Sequence, residues 1–330
     1  MRFLAPLLAL LSLAAAAPAV ATDFAPKTDN GIVALDLRTG ALRWRYQPPR
    51  LSDAHFEVYP EGLVAFPHYS QADRTAPIFL DARTGAPRAA FVLDAKRLRA
   101  RSVTFSPPPA ITLANGWVLS DFSPGNTKTL RFRDAAGTVV WEVRSPEYPE
   151  FVVSHRDLVL YAYGYLTGQA RIHAQPAGSA APRWTLDINE YLRAHGIRSQ
   201  APGPADRRSP ADRRSRVRPQ VIDGVLYAQA NEHLFAVDPA TGAVRWHLDL
   251  ARATGLRFVP DFFGGALDLA AFAKDGDVLV VAYERRVVAV DTRRRRVLWH
   301  VVPDTFPHCP FPVAADGVVY LTAGARLGGR

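Results

Sequence analysis

The chain has 330 residues, 48% hydrophobic and 22% charged, which is enough apolar material for a large core and excludes a mainly disordered chain. A formal charge of +9 would suit nucleic acid, but Lys27, Lys96, Lys128 and Lys274 are the only lysines. That arginine skew, beside abundant Ala, Pro and Gly, reads as GC-rich coding, so no nucleic-acid partner is expected. The 27 Pro and 22 Gly punctuate short elements and argue against a helical bundle, and a single cysteine, Cys309, excludes an intrachain disulfide.

Residues 1–21 read as an export signal: Arg2 is the charged start, Phe3 to Ala17 the apolar stretch, and Ala19-Val20-Ala21 the small residues of a cleavage site. The mature chain is expected to begin at Thr22 and to be exported, periplasmic or secreted, with no membrane span after cleavage. Residues 22–330 are expected to form a single domain.

From Ile32 onward one unit recurs. Ile32 to Trp44 alternates apolar residues up to Asp36, turns at Asp36-Leu37-Arg38-Thr39-Gly40, and delivers Trp44 on a second strand. In Asp-x-x-Thr-Gly the Asp side chain accepts from the turn and Gly is free to take a positive φ. Phe79 to Gly85 repeats the turn with Asp81 and Gly85 but has Ala89 in the Trp place, and Asp134 and Gly137 lead to Trp141. A looser copy ends at Trp184, and two close copies follow, Leu234 to Trp246 with Asp238 and Gly242, and Val287 to Trp299 with Asp291.

A second landmark, a turn feeding an apolar strand, starts at Gly62, Gly116, Asp157, Gly224, Gly276 and Gly317. The first hairpin has no such strands before it, and the last such strands, Phe311 to Ala323, have no hairpin after them. The two halves are therefore expected to complete one another.

These repeats resemble those of the PQQ-like (quinoprotein-type) β-propeller superfamily, whose blades carry Ala-x-Asp-x-x-Thr-Gly-x-x-x-Trp. The resemblance implies an all-β, six-bladed propeller of four-stranded antiparallel blades, closed by N-terminal strands that complete the C-terminal blade. It also implies that each Trp packs against the peptide of a neighbour's Gly turn. Six blades give about 51 residues each, near the long end of propeller repeats.

The PQQ dehydrogenases of that superfamily stack a disulfide of adjacent cysteines on the quinone beside a calcium site. Cys309 alone cannot form that disulfide, and no acidic constellation suits the calcium, so neither PQQ nor any other cofactor is expected. Asp36, Asp81, Asp134, Asp238 and Asp291 read as turn acceptors, the repeat Trp residues as core, and no catalytic or metal-binding residue stands out. His308-Cys309 is the most suggestive pair, but neighbours on an extended segment point to opposite faces.

Binding is expected of loops at one end of the sheets. A basic insertion at about 188–218 opens with a short helix from Ile188 to Ala194 and carries a duplicated hexad with Arg207, Arg208, Arg213 and Arg214. A second basic stretch, Lys96, Arg97, Arg99 and Arg101, is expected at the same end. The reading is a BamB-like scaffold rather than a PQQ dehydrogenase, with a protein partner in the cell envelope. The alternatives are a small PQQ-type dehydrogenase or other propeller enzyme with an unrecognised central pocket, or a binder of anionic envelope polymer or lipid.

Overall fold

The computed structural model describes residues 30–48, 51, 53–68, 76–102, 110–113, 116–123, 127–145, 149–163, 171–197, 217–230, 232–255, 271–283, 286–303, 312–323 and 327–328. The expected export signal, the duplicated hexad with Arg207, Arg208, Arg213 and Arg214, and His308-Cys309 lie outside the described residues.

The described chain is almost entirely strand. It opens with β1 (Gly31–Asp36) and β2 (Leu42–Tyr46), followed by β3 (Asp53–Tyr59), β4 (Gly62–His68), β5 (Ile78–Leu80) and β6 (Ala100–Arg101). Next come β7 (Ala110–Leu113), β8 (Gly116–Ser123), β9 (Thr127–Asp134) and β10 (Val139–Ser145), and then β11 (Pro149–His155), β12 (Leu158–Tyr163), β13 (Arg171–Pro176) and β14 (Trp184–Asp187), which runs into the helix α1 (Ile188–Ala194). The strands β15 (Val217–Ile222), β16 (Val225–Ala230), β17 (His233–Val237) and β18 (Val244–Asp249) lead to α2 (Leu250–Thr254). The last are β19 (Ala271–Asp275), β20 (Val278–Tyr283), β21 (Arg286–Asp291), β22 (Arg296–Pro303), β23 (Val313–Ala315), β24 (Val318–Ala323) and β25 (Leu327–Gly328).

Among the described residues these strands form six antiparallel sheets. One has the order β2-β1-β24-β23, so the first hairpin joins the β23–β24 hairpin near the other end of the chain. There β1 pairs with β24 from Gly31↔Ala323 to Asp36↔Val318, which ties the two ends of the described chain together. The sheets of β7–β10, β11–β14 and β15–β18 follow chain order, and β25 adds a fifth strand beside β22.

Strand alternation divides β1 between two cores. Ile32 and Ala34 pack with Phe56 and Leu63 of the sheet that follows, whereas Val33 and Leu35 pack with Val280 and Ala289 of the β19–β22 sheet. All four are fully buried, because a sheet covered on both faces needs apolar residues on both. Similar clusters join the β7–β10 sheet to β11–β14, β11–β14 to β15–β18, and β15–β18 to β19–β22. Among the described residues no apolar cluster joins the β3–β6 sheet to β7–β10.

The tryptophans reach between sheets. Trp44 Nε1 donates to Ala82 O at 3.0 Å, Trp184 Nε1 to Pro239 O at 3.1 Å, and Trp299 Nε1 to Leu37 O at 2.9 Å, each at the Asp-to-Gly turn of another sheet. The indoles lie on Gly85, Gly242 and Gly40 respectively. Trp141 donates to Pro176 O and Ala177 O, both at 3.2 Å. Trp246 is half-buried in the cluster between β15–β18 and β19–β22, its ring 6.2 Å from that of Tyr227.

The repeat aspartates organise their turns. Asp36 Oδ1 accepts from the backbone of Arg38 and Thr39, Asp81 Oδ1 from Arg83 and Thr84, and Asp238 Oδ1 from Ala240 and Thr241. Asp134 Oδ1 accepts from Thr138 N in a turn one residue shorter. The Asp291 turn has no glycine: Asp291 Oδ1 accepts from Arg293 N and Arg294 N, and Arg295 takes the left-handed place at φ 54°.

Polar contacts also cross between sheets at this turn end. Lys274 of β19 donates to Asp223 in the β15–β16 turn at 2.6 Å, Gly317 N donates to Asp275 Oδ2 at 2.7 Å, and Arg99 pairs with Asp316 at 2.6 Å.

The β3–β6 sheet departs from the expected hairpin. Its order is β5-β4-β3-β6, with the fourth strand on the inner edge beside β3. Outside β5 there remain only the Leu80↔Pro87 bridge and a bond from Arg88 N to Phe79 O at 2.9 Å. Ala89 offers no indole to anchor an outer strand. Instead the chain turns across the sheet face and sets Phe91 edge-on against Tyr59 and Phe79, with ring centroids 5.9 and 5.1 Å away.

Candidate functional site

The four-stranded sheets have two distinct ends. The turns between first and second strands and between third and fourth lie at the turn end, and the longer links leave from the other, the loop end. The helix α1 follows β14 at a loop end and begins the 188–218 insertion. Asp187 caps it by accepting from Glu190 N at 3.0 Å, and Ile188 and Leu192 bury its apolar side against Ala228, Ala230 and Phe235. This docks α1 on the neighbouring β15–β18 sheet.

Beneath α1 the structure gathers histidines that are dispersed in sequence. The β17–β18 hairpin pairs Phe235 with His247, which places His233 and His247 on one face at diagonal positions. His233 Nδ1 and His247 Nε2 are 2.8 Å apart, within hydrogen-bond distance. On the other side of His233, which is fully buried, Glu232 Oε1 lies 3.3 Å from Nε2. The contact at Nε2 is an ion-pair distance and not a hydrogen bond, and in the 2.8 Å contact either ring can be the donor, according to tautomer.

From α1, Tyr191 stacks on His195 with ring centroids 4.1 Å apart, meets Phe235 edge-on at 5.7 Å, and lies 6.4 Å from His247. His195 Nδ1 is 2.8 Å from Tyr191 O, at the end of the helix. On the far side Glu232 O accepts from Leu250 N at 2.8 Å, and Asp249 caps α2 by accepting from Arg252 N at 2.8 Å. Burial, with His233 and His195 nearby, pulls His247 down to about 4 against the raising effect of Asp249 and Glu232. Among the described residues no group of three or more His, Cys, Asp or Glu is disposed to hold a metal ion. The hydrogen-bonded part of this cluster is the His233–His247 pair, with Glu232 on one side and the Tyr191 ring of α1 on the other.

The sequence, in which His308-Cys309 is the most suggestive pair, carries no expectation of this cluster. The available signal was local: in a hairpin closed at Asp238–Gly242, His233 and His247 stand at nearly matching distances from the turn.

The second basic stretch lies elsewhere than expected. Arg97 pairs with Glu61 in the β3–β4 turn, Arg99 with Asp316 in the β23–β24 turn, and Arg99 N donates to Val58 O at 2.8 Å. Lys96 N donates to Asp94 Oδ1 at 2.9 Å, and Arg101 stands opposite Glu57 in β6. The stretch is therefore at the turn end, opposite to α1, because the chain crosses the sheet face after Arg88 instead of running out along an outer strand.

The family model for outer membrane protein assembly factor BamB matches residues 204–328. The chain is 24% identical over 192 residues to the serine/threonine-protein kinase AfsK of Streptomyces griseus; the match covers 58% of this chain and 21% of that protein, so the chain spans about a fifth of its length. Among solved structures, BamB from Moraxella catarrhalis aligns with a TM-score of 0.42 at 18% identity, covering 91% of this chain and 81% of that one. The quinohemoprotein alcohol dehydrogenase of Comamonas testosteroni aligns at 0.36 and 12% identity, covering 62% and 37%. Residues 204–328 thus carry PQQ-like repeats of the BamB type, as the Asp, Gly and Trp hairpins imply.

Proposed function

We propose that the chain is an exported propeller scaffold for assembly in the cell envelope, and that it binds a protein partner through the loop end that α1 occupies. The observation that carries this is the match of residues 204–328 to the family of an outer membrane protein assembly factor. In this reading residues 22–330 form one domain, and the six sheets are six blades of a closed ring with the β1–β24 pairing as its clasp. The 188–218 insertion, leading out of α1, is the contact segment. No quinone takes part; reconstitution with PQQ and Ca²⁺ should yield neither stoichiometric quinone absorbance nor alcohol oxidation.

The test is removal of the chain from its host. Outer-membrane β-barrel proteins should fall in amount and recover when the full chain is restored, and a chain lacking Pro204 to Ser215 should restore them less well. Unchanged outer-membrane protein in the depleted host would overturn the proposal.

A further inference from the structure

The turns that close the repeated hairpins carry arginine unevenly. The third residue is Arg38 in turn 36–40, Arg83 in turn 81–85 and Arg293 in turn 291–295. One bond sets all three places, because each backbone N–H donates to Oδ1 of the turn Asp at 3.0 Å, and each arginine is exposed. The corresponding links of the other three sheets, 134–137, 177–182 and 238–242, contain no basic residue.

The three arginine turns belong to adjacent sheets. Trp299, from the hairpin of turn 291–295, lies on Gly40 and donates to Leu37 O, and Trp44, from the hairpin of turn 36–40, lies on Gly85 and donates to Ala82 O. Trp299 stands opposite Ala289, two residues or about 7 Å along β21 from Asp291. Each indole therefore holds the next turn beside its own, and the three form a row at the turn end.

The acids around this row are already engaged. Asp36 pairs with Arg43 at 2.7 Å, Asp291 with Arg294 and Asp277 with Arg293 at 3.0 Å, and Asp81 has Arg88 at 3.8 Å. Glu61 pairs with Arg97, and Asp316 with Arg99 at 2.6 Å. Arg38, Arg83, Arg295 and Arg296 are exposed and have no ion-pair partner among the described residues. Arg293 stays 79% exposed despite its pairing.

We propose that this arginine row seats the turn end on a membrane surface rich in anionic phospholipid. Guanidinium presents a planar fork of donors that matches phosphate oxygens, and equivalent places on adjacent turns set the forks out along one end of the sheets, where a layer of headgroups can meet them together. A protein partner would need a buried apolar centre to be held firmly. The residues beside these arginines are instead mostly small or polar, among them Thr39, Gly40, Thr84 and Gly85, with Leu42, 54% exposed, as the apolar exception. The inference goes beyond the scaffold reading and concerns the end opposite α1, so it holds whatever the loop end binds. A chain seated in this way would hold α1 and its insertion away from the lipid.

Sedimentation of the full chain with vesicles tests it, using phosphatidylcholine alone or mixed with phosphatidylglycerol. Binding should require the anionic lipid and fall steeply with salt, since surface charges are screened over about 8 Å at 0.15 M. Arg38→Gln and Arg83→Gln should each weaken it about fivefold and the double variant about 25-fold, as expected for cationic side chains at an anionic surface. Glutamine keeps the backbone bond to the turn Asp, so the melting temperature should hold. Arg252→Gln removes the same charge from exposed α2 at the loop end, more than a screening length away, and should change binding by less than about twofold. Vesicle binding that is absent from the wild-type chain, unchanged in the double variant or weakened equally by Arg252→Gln would overturn the proposal. So would retention on immobilised polyglutamate that depends on Arg38 and Arg83 without vesicle binding, which would make the partner an acidic protein.

Discussion

Trp299 lies flat on Gly40, so close that a β-carbon at Gly40 would stand 2.7 Å from its Cδ2, and Gly40 itself has φ +70°. Two constraints meet at this position, a left-handed backbone and an indole from another sheet. Gly276 has the first without the second, with φ +55° and nothing within 4 Å of a built β-carbon. Gly40→Ala should therefore cost about 3 kcal/mol, from left-handed strain plus overpacking, and Gly276→Ala about 1 kcal/mol. Urea midpoints of the two variants check the difference. Equal losses would mean that the indole moves aside freely and contributes little to the junction.

The Asp291 turn makes the converse case. Arg295, at φ 54°, fills the left-handed place that Gly40, Gly85 and Gly242 fill in the other turns. Its side chain is exposed, so little packing is lost by removing it. Arg295→Gly should raise stability by about 0.5–1 kcal/mol, an unusual sign for a glycine substitution. A destabilised variant would show that Arg295 makes contacts worth more than its backbone strain.

The hairpins were legible because each rests on a local code: Asp accepts two turn amides, Gly accepts a positive φ, and Trp lies within a few residues. The pairing of β1 with β24 was legible from the order of the landmarks, since a hairpin without inner strands and inner strands without a hairpin complete each other. The path of residues 89–101 was not. Ala89 marks a missing indole, but which way the chain then runs depends on Phe91 meeting Tyr59 and Phe79, contacts set by strands some 30 residues earlier and 12 residues earlier in the chain. The His233–His247 pair lies within one hairpin and was in principle legible, but the cover that α1 provides was not, because α1 comes from another sheet.

Acid should weaken the protein in two separate windows. Burial pulls His173 and His247 down to about 4 from 6.5, so the unfolded chain takes up protons first as pH falls. Their contribution is fully present above pH 6.5 and is lost between 6.5 and 4. Arg43 at 2.7 Å, with Thr39, holds Asp36 down to about 2, and Asp238 is lowered chiefly by Arg245. Stability from these carboxylates is present above pH 3.8 and is lost as pH falls towards 2. Urea unfolding measured across pH should show both declines, and His173→Phe should flatten only the upper one. A single decline confined below pH 4 would mean that neither histidine is kept neutral by burial.

The basic hexads offer a sharper separation of folding from binding. Shortening a loop changes closure entropy by only about 0.6 kcal/mol per halving, so deleting Pro204 to Ser215, which removes no described residue, should leave the melting temperature nearly unchanged. Binding through Arg207, Arg208, Arg213 and Arg214 should instead weaken steeply with salt, since exposed charges are screened over about 10 Å at 0.1 M. The deletion and the wild-type chain are compared for retention on an acidic-protein column and on anionic vesicles, at low and physiological salt. Preferential loss of the protein interaction would place the contact in the insertion, and loss confined to vesicles would point to a lipid surface. Identical profiles would reduce the duplicated hexad to an insertion that the loop tolerates, and would shift the partner contact to α1 and the residues around it.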